Sequence, residues 1–432
     1  MEINRSVPFF LLLLLPVAAQ AVEFKPKLEA EGRWFWQAED APLLGSVAGT
    51  LETFSGWGDG RQRVVGEFFA RYDENDDVRT HGDVRELYYQ QAGDDFEFRL
   101  GARRVFWGVT ESRHLVDIIN QSDFIENISG EMKLGQPMLN LALIREYGTV
   151  DAFLMPYQRA RTLPGADSYP RLPYPVDTHE AQYESRREQA HVDYALRYAG
   201  SFGPLDLGLA WFDGSAREPR LEPCVRRNAN GQYVKGSPDG PTCPPEAAVV
   251  LPQLPPFPTP QEVDAEVRAN LVLVPFYDRL RQASLDAQIV FGSLALKVEA
   301  LRRRQQHRTT WGAVTGFEYT FGDVRGSGAD IGLLAEYLYD KKNNGLNVLI
   351  DDEVFAGSRL AVNDVAGTQL LAGMIASRDG WDSLRYSVEA SRRLTDDWKL
   401  SLEARMFSHW TDTTTPFLAD QDYLTVTLER FF

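Results

Sequence analysis

A hydrophobic pattern of period two runs through this chain from end to end and constrains its fold more than any other feature. In DWKLSLEARMF, Trp398, Leu400, Leu402, Ala404 and Met406 share one face, with Lys399, Ser401, Glu403 and Arg405 on the other. KLEAEGRWFWQ places Leu28, Ala30, Gly32, Trp34 and Trp36 opposite Lys27, Glu29, Glu31 and Arg33. SLALKVEA and ADIGLLAEYLYD repeat the arrangement, the first setting Leu294, Leu296, Val298 and Ala300 against Lys297 and Glu299. Side chains alternate across a strand, so these segments read as strands with one greasy and one wet side, and none keeps a helical 3.6 period.

After residue 21 no stretch approaches the roughly 18 consecutive apolar residues of a spanning helix. Yet 12% of the residues are aromatic. Charges recur on the second face of nearly every strand, which disfavours a sandwich and suits a closed barrel with lipid outside and water inside. Closure also removes the unpaired edges of so large a sheet. The expected fold class is all-β, a transmembrane antiparallel up-and-down β-barrel.

Turn signals set the strand number. Compact Gly-, Asp- or Asn-bearing turns fall at Gly56–Gly60, Ala92–Asp95, Glu146–Thr149, Gly200–Pro204, Phe291–Ser293, Gly322–Gly328, Val362–Thr368 and Thr395–Trp398. Nine other connections lie between them, including long extracellular loops at 107–136, 158–187 and 215–276. Eight turns and nine loops join eighteen strands, with both termini in the periplasm. Alternation is poor at 48–55 and 350–362, and losing both strands would leave sixteen.

MEINRSVPFFLLLLLPVAAQA has a charged start, a short apolar run and the small-x-small site Ala19-Gln20-Ala21. It reads as a secretory signal peptide, residues 1–21, with the barrel over 22–432. No Cys follows the cleavage site, which disfavours a lipoprotein. The formal net charge of −17 argues against nucleic acid as a partner. Cys224 and Cys243 flank a Pro/Gly/Asn-rich segment of an exported chain and are expected to form a disulfide. In the chain-entropy model that bridge contributes about 3 kcal/mol. A metal site is disfavoured, since no His lies nearby and CxxC spacing is absent.

The chain ends YLTVTLERFF, with Leu424, Val426, Leu428 and Phe432 on one face. This resembles the C-terminal signal read by the barrel-assembly machinery of Gram-negative outer membranes, although Arg430 departs from it. The expected location is therefore the outer membrane, among its lipid and lipopolysaccharide.

Function is sought first on the lumen face. Inward positions include Arg33, Arg63, Glu67, Arg71, Arg99, Arg197, Glu299, Glu336, Arg385, Glu389 and Arg405. The signs are roughly balanced, which suits polar solutes or charge pairs that brace the wall and disfavours a strongly ion-selective pore. Next comes LGARRVFWGVTESRHLVDIINQSDFIENISGE, residues 100–131, where alternation stops. This segment either folds into the barrel mouth or packs above the rim. In the first case Arg103, His114, Asp117, Asn120 and Asp123 line a constriction near 108–130. Trp107 reads as a girdle aromatic.

The Gly-x-Arg-Arg…Trp-Gly pattern from Gly101 to Gly108, followed by Asp117 and Asn120, resembles a family of porin-like Gram-negative outer-membrane barrels near the alginate-export barrels. The resemblance implies a monomeric barrel that passes solutes across the outer membrane. Alginate itself fits poorly, because a polyanion wants a net-positive lumen. GxSxG and HExxH are absent, the six His are scattered, and the expectation is no enzyme, cofactor or metal. The reading is a porin-like channel or conduit for a small polar or amphipathic solute, with a periplasmic or inner-membrane transport partner as a further candidate. The alternative is a surface binding or adhesion barrel built on loop 215–276.

Overall fold

A computed structural model describes residues 22–38, 42–165, 168–170, 172, 174–224, 226–227, 233–234, 271–340, 352–378, 383–408 and 421–432. The expected signal peptide and Cys243 lie outside the described residues; Cys224 is buried.

The period-two segments form strands as the alternation requires. Among the described residues these are β1 (Glu23–Trp34), β2 (Leu43–Trp57), β3 (Gln62–Asp73), β4 (His81–Ala92), β5 (Phe96–Arg103) and β6 (Gln136–Arg145). Next come β7 (Gly148–Met155), β8 (Asp193–Phe202), β9 (Leu205–Ser215), β10 (Arg279–Phe291), β11 (Leu294–Gln305) and β12 (Arg308–Phe321). The last six are β13 (Asp330–Asp340), β14 (Asp352–Ala361), β15 (Gln369–Ser377), β16 (Leu384–Arg393), β17 (Trp398–Ser408) and β18 (Tyr423–Phe431). Each pairs antiparallel with its sequence neighbours in one 18-stranded sheet. Closure comes from β1 pairing with β18, from Lys27 opposite Phe431 to Trp34 opposite Leu424.

Every compact turn signal sits at one end of this barrel, and the longer connections gather at the other. The two segments of doubtful alternation are strands, so the number is eighteen rather than sixteen. In β2 the signal is faint because Gly49 and Thr53 occupy outward positions while small Ala48 and Thr50 point inward and are buried. In β14 an inward Phe355, 4% exposed, breaks the pattern. Its ring lies where a Cβ on Gly373 would come within 2.4 Å of it and one on Gly357 within 2.7 Å.

Leu28, Val47, Leu87, Leu100, Leu196 and Leu333 point outward and are well exposed. Aromatics crowd both ends of this apolar belt, with Tyr72, Tyr194, Trp211 and Trp311 toward the loops and Phe24, Tyr147, Phe291 and Phe432 toward the turns. That is the surface of a barrel in lipid. Phe432 closes the turn-side girdle, its backbone N–H donating to Pro26 O. Leu424, Val426 and Leu428 line up below it on the outward face, paired in register with β1.

Packed apolar clusters lie inside the barrel against two parts of the wall, one of them built on Leu115, Leu301, Val314, Leu338 and Phe355. Met138, Phe153, Met155, Ala195, Phe212 and Leu280 turn inward from β6 to β10 and pack on Trp107, Val116 and Ile119 of the β5–β6 connection. Trp107 is 3% exposed, with its ring edge-on to Phe153. The girdle reading of Trp107 is corrected: the indole fills an apolar socket inside the barrel. The long connections also build a small sheet, in which Val272–Tyr277 runs antiparallel to Arg220–Cys224 and parallel to Gln182–Tyr183. Leu163, Tyr174, Leu221, Leu271 and Leu273 pack there, with Phe124 of the β5–β6 connection against them.

Candidate functional site: the lumen and its inward segment

Two glycines shape the entry of the β5–β6 connection, residues 104–135. Gly101 has φ 138°, and a Cβ there would sit 2.2 Å from the Leu87 carbonyl oxygen, so the strand can bend only with glycine. Gly108, at φ 133°, lets the backbone approach the opposite wall, where a Cβ would lie 2.7 Å from Glu299 Oε1.

The segment is hung from carboxylates of the facing strands. Glu299 of β11, fully buried, accepts hydrogen bonds from the N–H groups of Val109 (2.8 Å), Thr110 (3.1 Å) and Val116 (3.2 Å) and from Thr110 Oγ1 (2.7 Å). Glu336 of β13 accepts the N–H groups of Glu111 (2.7 Å) and Ser112 (2.9 Å) and the Ser112 hydroxyl. Backbone donors that no strand partner serves are thus satisfied by ionised acceptors, which form the stronger kind of hydrogen bond. Arg359 Nη2 on β14 adds a 2.6 Å bond to Glu111 Oε2.

The return leg crosses to the other side. Glu126 receives Arg71 Nε (3.0 Å) and Nη2 (2.9 Å) from β3, while Arg33 Nη2 on β1 donates to the Glu126 carbonyl at 2.7 Å. Asn127 Nδ2 reaches Glu403 Oε2 on β17 at 3.1 Å, and Arg217 Nε donates to Ile119 O at 2.9 Å. Contacts with β1, β3, β11, β13, β14 and β17 place the segment across the bore.

The five residues expected at a constriction take different places. Asn120, 1% exposed, clamps both ends of the segment: Nδ2 donates to Arg103 O and Leu134 O, each 2.8 Å, and Oδ1 accepts from Val105 N–H at 2.8 Å. Asp123 is buried and accepts from Thr162 Oγ1 at 2.6 Å. Asp117 lies 3.3 Å from Lys133 Nζ. Arg103 leaves the segment and donates to Asn140 Oδ1 at 3.1 Å. Of the five, only His114, Asp117 and Asn120 touch the open space described below.

The lumen charges are mostly paired with one another. Arg197 grips Asp286 at 2.7 and 2.8 Å, Arg385 meets Glu353 at 2.5 Å, and Arg405 meets Glu389 at 2.5 Å and Glu403 at 3.0 Å. Arg63 binds Gln90, Arg99 binds Asn140 and Glu97, and Glu67 receives Arg104. The alternation pattern does not reveal Glu126, Arg113, Lys133, Arg303 or Glu353. Glu126 carries one usable sign, a carboxylate set among Phe124, Ile125 and Ile128, which demands a partner if buried. Arg303 is hidden in a run of three arginines of which only the middle one faces in.

Beside the segment a cavity of about 460 Å³ remains, bordered by Arg113, His114 and Lys133 on one side and by Arg303, Glu353, Arg385, Glu389 and Arg405 of the wall on the other. Phe355, Ile375 and Phe407 give it an apolar strip. Burial works against a protonated His114, but Glu299 Oε1 lies 3.8 Å from Nδ1, with Asp117 and Glu131 near, and together they raise its pKa above the usual 6.5. Because the docked pKa is raised, the imidazolium–carboxylate attraction is fully present below about 6.5, the value for unfolded His. It is lost as pH rises through the higher docked value. By NMR, His114 should titrate above free histidine in the wild type, and its midpoint should fall in Glu299→Gln; equal midpoints would contradict the pairing.

Eighteen strands closed on themselves, apolar outside and charged within, define a transmembrane β-barrel of the outer-membrane type. No protein-family model and no curated protein matches the chain. Among solved structures it is similar to the outer-membrane protein OmpT of Vibrio cholerae, with 9% identity, TM-score 0.44, and coverage of 95% of this chain and 99% of that one. It is also similar to a mutant of the Rh. blastica porin, with 10% identity, TM-score 0.41, and coverage of 95% and 100%.

Proposed function

We propose that this chain is a porin-like outer-membrane channel in which a small polar or amphipathic solute passes between the inward segment and the β13–β17 wall. The supporting observation is the attachment of residues 109–112 to Glu299 and Glu336, which leaves a gap of about 460 Å³ lined by both signs of charge and an apolar strip. Paired charges such as Arg385–Glu353 and Arg405–Glu389 offer donors and acceptors close together, as a polar solute with both kinds of group needs. A single-sign lumen, suited to a long polyanion such as alginate, is not what these pairs make. The loops face the cell exterior and the turns the periplasm in this reading, following the usual asymmetry of such barrels. The experiment is solute entry into proteoliposomes: a free amino acid or monosaccharide is expected to enter, and an oligosaccharide to be held back. Complete impermeability to all of them would overturn the proposal.

A further inference from the structure

The outer wall carries a feature unconnected with the lumen. Along β10 and β11 the outward positions are apolar for most of their length, with Ile289, Ala287, Leu285 and Ala283 on one strand and Leu296, Val298 and Ala300 on the other. Toward the loop end they turn basic, as Arg281 and Arg279 on β10 and Arg302 and Arg304 on β11. Arg281 stands directly opposite Arg304 in the register. Like charges in that position repel unless something anionic lies between them.

Among the described residues one carboxylate meets guanidiniums of this patch, while Glu184 accepts the Arg279 backbone N–H at 2.6 Å. Asp213 of β9 receives Arg281 Nε at 2.7 Å and Arg279 Nη2 at 2.9 Å. Arg302 and Arg304 are exposed and have no carboxylate partner among the described residues. Arg302 lies over the Trp311 ring, 5.7 Å from its centroid.

Height on the barrel selects the occupant. Arg302 pairs across the strand with Trp311, a girdle aromatic 60% exposed, and Arg304 stands two residues further toward the loops, roughly 7 Å higher at the usual rise of a strand. Aromatic girdles sit at headgroup level, so the guanidiniums lie where lipid phosphates lie. The connection directly above β11 and β12 is short, Gln306 and His307 alone, both in left-handed conformations. Four guanidiniums spread over two strands match a headgroup with more than one phosphate, and arginine forks grip phosphate oxygens two at a time.

We infer that the outward arginines Arg281, Arg302 and Arg304, with Arg279, form a binding site for the phosphorylated headgroup of lipopolysaccharide in the outer leaflet. Its acyl chains would lie along the apolar outward face below, beside Leu285 and Leu296.

The test uses the full-length barrel in detergent micelles, with binding read by native mass spectrometry. The probes are bisphosphorylated lipid A, dephosphorylated lipid A and phosphatidylglycerol. Wild type should bind the bisphosphorylated lipid best, and Arg302→Gln/Arg304→Gln should bind it about tenfold or more weakly, as expected for two basic groups at an anionic headgroup layer. Arg302→Lys/Arg304→Lys should recover part of the loss. These side chains face lipid, so all variants should keep wild-type heat-modifiable migration and wild-type solute entry into proteoliposomes. Equal binding by wild type and the Gln variant, or equal binding of dephosphorylated lipid A, would overturn the site. Preference for phosphatidylglycerol would overturn its assignment to lipopolysaccharide.

Discussion

Replacing Glu299 and Glu336 together by alanine should raise single-channel conductance severalfold and open residues 105–130 to protease. The two carboxylates accept five backbone N–H groups and two hydroxyls from residues 109–116. A buried donor left without an acceptor costs about 1–3 kcal/mol, of which lumen water recovers a part. Summed over these donors, the loss is enough to detach the first leg of the segment. The wall should survive, since both residues lie inside strands whose backbone ladders do not depend on their side chains. Single substitutions should give intermediate conductances. If the double variant conducts like the wild type, these carboxylates do not hold the segment.

The second large effect is expected at Glu126, and on stability. Its carboxylate faces Arg71 in a bidentate pair, with half-buried His81 Nε2 at 3.7 Å and Arg85 Nη2 at 4.0 Å; Glu126, Arg71 and Arg85 are buried. Arg33 and Arg79 lie in the same cluster, tied to Glu31, and Arg79 also meets Asp73. Removing one partner of a buried pair typically costs about 3–5 kcal/mol, because the remaining charge stays desolvated. Glu126→Ala should lower the thermal transition of the barrel by roughly 5–10 °C. Glu126→Gln, which keeps an acceptor for one Arg71 N–H, should lower it less. A Glu126→Ala protein that melts with the wild type would show that lumen water already serves these arginines.

The contrast between these two regions and the wall separates what is local in the chain from what is not. A strand declares itself residue by residue, because alternation and turn chemistry are local. Hence the eight turns, and a last strand with Leu424, Val426 and Leu428 on its lipid face, are legible in the residues alone. The start of the inward segment is also visible, as the place where alternation stops after Gly101. Its attachment is not. Glu299 looks like any other inward charge, and only the fold brings it to the backbone of residues 109–116, some 190 positions earlier in the chain. Trp107 misleads for a related reason. Outward and inward sockets for an indole look alike in sequence, and Met138, Phe153 and Phe212 make an apolar patch inside a lumen expected to be wet. Asn120 stands out in the sequence as a polar residue among apolar ones, but its amide is engaged by Arg103 O, Leu134 O and Val105 N–H and so braces the segment.

In the proposed channel, solute passes beside a segment held across the lumen. The most direct measurement is solute entry into proteoliposomes, run side by side on the wild type and on Glu299→Ala/Glu336→Ala. The wild type should admit a free amino acid or monosaccharide and exclude a tetrasaccharide, whereas the double variant should admit all three. A wild type closed to every solute, or two proteins with the same size limit, would contradict the proposal.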